Sequence, residues 1–333
     1  MDVDLNYYRE LLQHYNLTQD EGSLYQAEQM SKQFIKNNIP PEEIVNLHNK
    51  ALNELYPELP SEFRHSMDFL LETMIFYGVA YQQYETLREK QSEIQSEISV
   101  AANMQETFLA TKKPDVKGLD IGVISIAADQ LNGDYYTFNE GKNDSLGIAL
   151  ADVIGKGIPA ALCMSMIKYA MEILLQESIS PKTILESLNR VVEKNVDPNM
   201  FITMVYCHYS PEDNLLHYAS AGHEPGYYYC SKTGKFYEIE ARGLVLGVLP
   251  DTEYEQYEMS INQGDLVILL TDGVTECRTE DGFIEVEEVL EVIRQYVHLP
   301  SQEIVEKVYK HFERLQNFQL IDDFSLIVLR KEV

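Results

Sequence analysis

The stretch that decides the fold reads Leu146-Gly-Ile-Ala-Leu-Ala-Asp-Val-Ile-Gly-Lys-Gly-Ile-Pro-Ala-Ala-Leu162. Its apolar first part predicts a buried strand that stops at Asp152. The glycines of the Gly-Lys-Gly turn permit positive φ angles and close approach of the backbone. Pro159 is typical of the first turn of a helix. The stretch therefore predicts a strand, a tight turn and a helix. The carboxylate at the turn either takes part in ligand chemistry or caps the turn.

Composition indicates a globular, acidic protein. The chain has 333 residues, of which 45% are hydrophobic, so it is long enough for two domains and a large core. Acidic residues outnumber basic residues 54 to 26, which gives a net charge of −28. A surface of this sign repels nucleic acid and anionic lipid, so we expect neither as a partner. A solubilising surface accounts for most of this charge.

The four cysteines lack the C-x-x-C spacing of a zinc site, and we expect reduced thiols rather than disulfides. The N-terminal residues are acidic and lack an apolar core, so a signal peptide is not expected. No apolar run approaches ~18 residues, so we expect no membrane-spanning segment. Together these patterns predict a cytoplasmic protein.

Residues 1–84 are predicted to be all-helical, because apolar side chains recur there at helical spacing. Two segments with this spacing precede Pro40, a third lies between Pro41 and Pro57, and a fourth follows Pro60, so we expect four helices. A bundle of this size has little core, which a second copy would enlarge. With no catalytic cluster in it, the region is interpreted as a dimerisation and partner-binding domain.

Residues 85–112 are predicted to form a helical connector with a heptad seam. The seam residues, spaced by seven, are Leu87, Ile94, Ala101 and Phe108. Two polar residues, Gln91 and Gln105, interrupt it. The pattern has two interpretations: a marginal coiled coil, or a single amphipathic helix that lies on its own catalytic domain.

From residue 113 to 333 the pattern alternates between strands and helices, and aspartates mark the strand ends. They are Asp134 after an Asn-Gly turn, Asp152, Asp272 after the apolar run 266–270, and the pair Asp322 and Asp323 before the last strand. Carboxylates gathered at one sheet edge are costly unless cations lie among them. Oxygen ligands without cysteine or histidine favour Mg²⁺ or Mn²⁺. Two such ions about 4 Å apart activate a water and stabilise in-line displacement at phosphorus.

Three function classes are compatible with such a site. A metal-dependent phosphatase is the leading hypothesis, and a non-catalytic signalling scaffold with the same fold is the main alternative. A two-metal phosphodiesterase or nuclease is disfavoured, because the net charge of −28 repels a polyanion. His223, in a polar turn, is either a ligand or base, or a hydrogen-bonded turn histidine; we favour the turn histidine.

Five motifs in order resemble the PPM-type serine/threonine phosphatases of the bacterial sporulation and stress-response branch. They are Asn-Gly-Asp134-Tyr-Tyr, Ala-Asp152-Val-Ile-Gly-Lys-Gly, Ala-Gly-His223-Glu-Pro, Thr-Asp272-Gly-Val-Thr-Glu and Asp322-Asp-Phe-Ser. The resemblance covers about residues 115–330. It implies an α+β protein in which two packed β-sheets are flanked by helices, after the N-terminal helical bundle and the connector.

The resemblance also implies roles for single residues. Asp134, Asp152, Asp272 and Asp322 would be ligands of two Mn²⁺ or Mg²⁺ ions, with Asp323 as second choice in the last motif and a carbonyl oxygen of Val153 assisting. Asp134, Asp152 and Asp272 would be catalytic together with Lys156. Many members have histidine where this chain has Lys156, so its role is either acid or phosphate anchor. No arginine matches the phosphate-clamping one of the eukaryotic branch.

The helical N-terminus and connector resemble those of the activator phosphatases of the Bacillus-type general stress response. This implies a phosphoserine substrate on a small anti-anti-sigma (RsbV-like) protein. It also implies an activating partner of the RsbT type, bound by the N-terminal domain, and a homodimer formed through residues 1–112. The activity would release the general stress sigma factor.

Overall fold

The structure is a computed structural model. It describes residues 5–155, 157–177, 180–197, 199–275, 277–279, 282–316, 318 and 320–332. Two compact units divide the chain, one ending at Gln95 and the next beginning at Ser96. The division falls inside one continuous helix, so the sequence-based boundaries 1–84, 85–112 and 113–333 stay predictions.

The first unit is helical, as the spacing of its apolar residues predicted. It contains α1 (Leu5–Thr18), α2 (Glu21–Lys36), α3 (Pro41–Leu55) and the first part of α4 (Ser61–Leu109). The Asp20 side chain caps α2 by accepting a hydrogen bond from the Ser23 amide at 3.0 Å.

This unit has a small core. Its buried apolar side chains include Phe34, Leu47 and Ala51. On α4, by contrast, large apolar side chains are exposed, and these include Phe63, Phe69, Leu70, Phe76, Tyr77 and Tyr84. Seven residues separate Phe63 from Leu70, Leu70 from Tyr77 and Tyr77 from Tyr84, so these four lie along one face of α4. We call these six residues the α4 apolar face.

The second unit contains the end of α4 and all of the strands. The strands are β1 (Leu119–Ile126), β2 (Asp134–Glu140), β3 (Leu146–Val153), β4 (Ile202–Ser210), β5 (Leu215–Ala221), β6 (Gly226–Cys230), β7 (Lys235–Ile239), β8 (Tyr257–Ser260), β9 (Leu266–Leu270), β10 (Arg278–Thr279), β11 (Gly282–Phe283) and β12 (Phe324–Lys331). The helices that follow α4 are α5 (Ile158–Glu177), α6 (Pro181–Asn195), α7 (Asp272–Thr275), α8 (Val286–Tyr296) and α9 (Ser301–Leu315).

Two five-stranded antiparallel sheets form the centre of this unit. The first has the order β1-β12-β9-β6-β7 and the second β2-β3-β4-β5-β8, while β10 and β11 form a separate ribbon. A core between the sheets includes Ile148, Leu150, Val267 and Leu269. The fold is therefore the predicted one, two packed β-sheets flanked by helices.

Helices cover the outer face of each sheet. Helices α5 and α6 pack on the second sheet through residues that include Met164, Ile167 and Leu188. Helices α8 and α9 pack on the first sheet in the same way. Because both faces of the second sheet are covered, β3 is an unbroken apolar run rather than an alternating one.

Among the described residues, α5 is the one helix long and apolar enough to cross a membrane by length and composition alone. Its Met164, Ile167 and Met171 are fully buried against the sheet. Over the apolar window 158–175, however, 22% of the residues are buried, and Leu162, Tyr169 and Ile173 are exposed.

Candidate active site

Antiparallel pairing brings the strand-end aspartates to one edge of the two sheets. In the second sheet, β2 begins at Asp134 and β3 ends one residue after Asp152, and these two residues are direct cross-strand partners. In the first sheet, Asp272 follows β9, and Asp322 and Asp323 precede β12. Since β9 and β12 are antiparallel neighbours, the end of one lies beside the start of the other.

Asp134 is the buried member of this group, with 2% of its surface exposed. The Thr271 hydroxyl donates a hydrogen bond of 2.8 Å to its Oδ2 atom. Thr271 precedes Asp272 in the first sheet, so this bond joins the two sheets at the site. Asp134 is thereby held in place by a side chain from the opposite sheet.

The pKa of Asp134 is raised well above its usual 3.8, first by burial and then by the charge of Asp152. Asp323 raises this pKa as well, while hydrogen bonds from Ser325 and Thr271 lower it. Burial and like charges both disfavour the ionised carboxylate. A cation between these carboxylates would remove that penalty.

Asp272 opens the short helix α7 directly after β9. The next residue, Gly273, lies against the backbone of Asp323, where an added Cβ would stand 2.0 Å from the Asp323 carbonyl oxygen. No other residue fits at this contact without moving backbone. Glycine at 273 therefore lets the Asp272 and Asp322–Asp323 segments touch.

Asp322 and Asp323 have different surroundings. The Asp323 carboxylate accepts hydrogen bonds from the amide of Ala128, at 2.7 Å, and from the amide of Gly133. The Asp322 carboxylate accepts one from the amide of Asp323 at 3.0 Å. Asp323 thus holds the turn that precedes Asp134. This arrangement is compatible with Asp322 as the principal ligand, which stays a prediction.

Val153 follows Asp152, and its backbone lies beside the same turn. Its amide donates to the Gly133 carbonyl at 3.2 Å. An added Cβ at Gly133 would lie 3.7 Å from the Val153 carbonyl oxygen and 3.1 Å from Asp323 Oδ2. The Val153 carbonyl and the Asp323 carboxylate therefore face one small space around Gly133.

Lys156, the remaining predicted catalytic residue, lies outside the described residues. His223 is described, and it is buried. Its ring Nδ1 atom lies 2.9 Å from the Thr203 hydroxyl, and its amide donates to the Ser220 hydroxyl at 3.1 Å. Burial lowers the pKa of His223 to about 4. The residue is a turn histidine whose ring is hydrogen-bonded at Nδ1, as the sequence favoured, while its buried Nε2 atom has no hydrogen-bond partner within the part of the chain that the structure describes.

Four polar residues around Asp134 were missed by the sequence analysis: Gln105, Asn132, Thr271 and Ser325. Three of them belong to quoted motifs, Asn132 to the Asn-Gly turn, Thr271 to Thr-Asp-Gly and Ser325 to Asp-Asp-Phe-Ser. These three could have been predicted as site residues, because each has a hydroxyl or amide side chain within two or three positions of a predicted ligand. Gln105 carried no such signal.

The donor set fits a hard divalent cation by its chemistry. Carboxylate oxygens converge on the sheet edge, and the buried Asp134 gains from a neighbouring positive charge. Within the described residues, no group of three or more Asp, Glu, His or Cys side chains lies close enough together to hold a metal ion as the side chains stand. The carboxylates are thus gathered at one edge without forming a closed coordination group.

Comparison with known proteins identifies the family of the chain. Residues 142–332 match the family described as stage II sporulation protein E (SpoIIE), and residues 6–80 match the N-terminal domain of phosphoserine phosphatase RsbU. The chain is 53% identical, over 326 residues, to phosphoserine phosphatase RsbU of Bacillus subtilis strain 168. That alignment covers 98% of this chain and 97% of the relative.

The chain belongs to the RsbU family of phosphoserine phosphatases. The SpoIIE match spans the strands and helices that carry Asp152, Asp272, Asp322 and Asp323. The RsbU N-terminal match lies within the helical first unit. Both parts of the chain therefore correspond to parts of the RsbU family.

Solved structures share the fold of the second unit. The SiaA-PP2C domain of Pseudomonas aeruginosa aligns with a TM-score of 0.62 at 20% identity, covering 73% of this chain and 98% of that one. The RsbU and RsbW domains of Rv1364c from Mycobacterium tuberculosis align with a TM-score of 0.58 at 21% identity, covering 67% and 62%. At such identities the likeness concerns the fold, which is that of PP2C phosphatase domains.

Proposed function

We propose that this enzyme removes phosphate from a phosphoserine on a small anti-anti-sigma (RsbV-like) protein, and so activates the general stress sigma factor. The observation that carries the proposal is the 53% identity to an RsbU phosphatase over nearly the full length of both chains. The cross-strand pair Asp134 and Asp152 supplies a site for the chemistry. We place the reaction in the cytoplasm, where sigma factors act.

Two Mn²⁺ or Mg²⁺ ions would be held by Asp134, Asp152, Asp272 and Asp322, with the Val153 carbonyl assisting. When bound, such ions neutralise phosphate charge and lower the pKa of a water. A structural neighbour with a TM-score of 0.50, RsbX, was solved in complex with magnesium. For the chain itself, Thr271 orients the Asp134 carboxylate and Asp323 holds the turn before it.

The charge of the protein makes these cations necessary for substrate binding as well. With a net charge of −28, the protein as a whole repels a phosphorylated substrate. Divalent ions held by the aspartates at the sheet edge would reverse the local sign of the charge where the phosphate enters. Substrate affinity is therefore expected to depend on the metal.

The test is phosphate release from a phosphorylated anti-anti-sigma protein by the purified full chain with Mn²⁺. We expect turnover that EDTA abolishes and that added Mn²⁺ restores. A protein that binds this substrate without releasing phosphate would instead be the non-catalytic partner-switching scaffold. Phosphate release that persists in EDTA would contradict the proposed metal chemistry.

Regulation is proposed to enter through the helical N-terminal unit, by an RsbT-like protein that binds there. Support comes from the match of residues 6–80 to the RsbU N-terminal domain and from the large apolar side chains exposed on α4. The exposed surface also supports a homodimer through residues 1–112.

The variant Ile98→Pro tests this route, since proline in a helix interior removes a hydrogen bond and breaks the helix. We expect the activator to bind the variant normally without raising its turnover. Normal activation would mean that α4 is only a tether.

A further inference from the structure

Helix α4 carries one buried polar side chain in the second unit, that of Gln105, which is 8% exposed. The nitrogen and the oxygen of its side-chain amide both form hydrogen bonds with the backbone of a single residue, Asn132. The Gln105 Nε2 atom donates to the Asn132 carbonyl at 2.7 Å, and the Asn132 amide donates to Gln105 Oε1 at 3.0 Å. One side chain therefore satisfies both backbone groups of Asn132, as a neighbouring strand would.

Asn132 is in turn bonded to Asp134. Its Oδ1 atom accepts a hydrogen bond from the Asp134 amide at 2.9 Å. Its Nδ2 group donates to the Ser125 hydroxyl at 3.2 Å. The backbone of Asn132 is thus fixed by helix α4, and its side chain fixes the start of β2.

A second path leads from Ser125 to the carboxylate of Asp134. The Ser325 hydroxyl donates to the Ser125 hydroxyl at 2.8 Å, and the Ser325 amide donates to the Thr271 hydroxyl at 3.1 Å. Thr271 then donates to Asp134 Oδ2 at 2.8 Å. The backbone and the carboxylate of Asp134 therefore belong to one hydrogen-bonded loop, and Gln105 is attached to this loop through the backbone of Asn132.

Gln105 borders a groove of about 680 Å³, whose lining also includes Asn103, Gln130 and Asn132. Water from this groove can reach the Asn132 backbone once the glutamine amide is removed. Hydration would replace much of the lost hydrogen-bond energy, because the net contribution of a single protein hydrogen bond is small. Water molecules cannot, however, hold the Asn132 backbone in one position as the two hydrogen bonds from Gln105 do. Loss of Gln105 should therefore disturb placement more than stability.

From this geometry we infer that Gln105 is a positioning residue for Asp134, which places that carboxylate for the cation site. The inference rests on the proposed assignment of Asp134 as a ligand. Its consequence is that the affinity for Mn²⁺ depends on a residue of helix α4 that is not itself a ligand.

The test compares the full chain with Gln105→Leu, which removes both bonds at similar size, and with Gln105→Glu, which sets a carboxylate against the Asn132 carbonyl. The control is Asn103→Leu, an exposed residue of the same helix that borders the same groove. Mn²⁺ affinity is measured by titration calorimetry. Thermal unfolding in EDTA and Mn²⁺-dependent phosphate release are measured on the same samples.

We expect both Gln105 variants to bind Mn²⁺ about tenfold more weakly, as the loss of one or two positioning hydrogen bonds predicts. Unfolding in EDTA should stay close to that of the wild type, and saturating Mn²⁺ should restore most of the turnover. Asn103→Leu should match the wild type in all three measurements.

Wild-type Mn²⁺ affinity in both Gln105 variants would overturn the inference, whatever their activity. A lower unfolding temperature with unchanged affinity would do the same, since Gln105 would then only stabilise the fold. If the wild type binds Mn²⁺ but releases no phosphate from the phosphoprotein, the proposed substrate fails while the affinities still decide the role of Gln105. If the wild type binds no Mn²⁺, the metal site and the inference both fail.

Discussion

Asp134 and Asp152 face each other as cross-strand partners at the ends of β2 and β3. Directly opposite carboxylates destabilise a sheet unless something compensates their charge. Asp134 is also buried, and its pKa is raised by burial and by Asp152. The pair is therefore costly in the metal-free protein and becomes favourable once a cation lies beside it. This cost is the basis of the prediction for Asp134→Asn below.

Removing a ligand carboxylate should abolish activity without unfolding the protein. For Asp152→Ala or Asp272→Ala we expect turnover to fall by at least about a thousandfold, because the cations supply the main charge stabilisation. Phosphate release at saturating Mn²⁺ and circular dichroism are the measurements. Asp129→Ala, an exposed aspartate between β1 and β2, should keep wild-type rates. Near-wild-type turnover of either ligand variant would disprove its assignment.

Neutralising Asp134 should stabilise the metal-free protein. Folding raises the pKa of Asp134 above its unfolded value of about 3.8. The protonated carboxyl therefore contributes fully to the free energy of unfolding below pH 3.8, and this contribution is lost as the pH rises through the folded pKa. In EDTA at pH 7.5, Asp134→Asn should unfold at a higher temperature than the wild type. The difference should shrink as the pH falls towards 3.8.

In the presence of Mn²⁺ the wild type should instead unfold at a higher temperature than Asp134→Asn, because only the wild type gains binding energy from the metal. Asp129→Asn serves as the control and should leave both measurements unchanged. A less stable Asp134→Asn protein in EDTA at pH 7.5 would contradict the cost assigned to the buried carboxylate.

Protonation of His223 should destabilise the protein in mild acid. Burial lowers the pKa of His223 from 6.5 to about 4, so the unfolded chain binds this proton first. The contribution of neutral His223 to the free energy of unfolding is complete above pH 6.5 and is lost as the pH falls towards 4. The full loss is about 3 kcal/mol. Denaturant unfolding in EDTA between pH 7.5 and 4.5 measures it.

His223→Gln separates this effect from other titrating groups, because glutamine keeps a hydrogen-bonding side chain without titrating. The free energy of unfolding of the variant should fall less steeply with acidification than that of the wild type. Equal slopes for the two proteins would mean that folding does not lower the pKa of His223.

Dimerisation should depend on the α4 apolar face. Phe76, which is 72% exposed, belongs to this face. Phe76→Glu places a charge where a partner helix would bury apolar area, so we expect sedimentation of the full chain to shift from dimer to monomer. Phe318→Glu, at 70% exposure in the other unit, is the matched control and should remain dimeric. A wild-type chain that sediments as a monomer would contradict the proposed dimer.

Much of the fold followed from local patterns in the sequence. The run 146–151, the Gly-Lys-Gly turn and Pro159 predicted a strand, a turn and a helix, and the structure has β3 followed by α5. The apolar spacing of residues 286–296 and 301–315 likewise predicts two helices, and the structure has α8 and α9 there. Such patterns are readable because burial on one or two faces dictates which positions are apolar. Strands β7 and β8 were missed, since nearly all of their side chains are exposed or only partly buried.

The sequence by itself determined which residue types the site contains, because aspartates at strand ends beside glycine are a local signal. Only the tertiary structure decided that Asp134 faces Asp152, that Asp323 holds the turn of Asp134, and that Thr271 bonds Asp134 from the opposite sheet. Gln105 is the clearest case. In sequence it is a polar interruption of a heptad seam, and in the fold its amide binds Asn132, 27 residues further along the chain. The partner of a buried polar group is fixed by packing across the chain, and no local spacing encodes it.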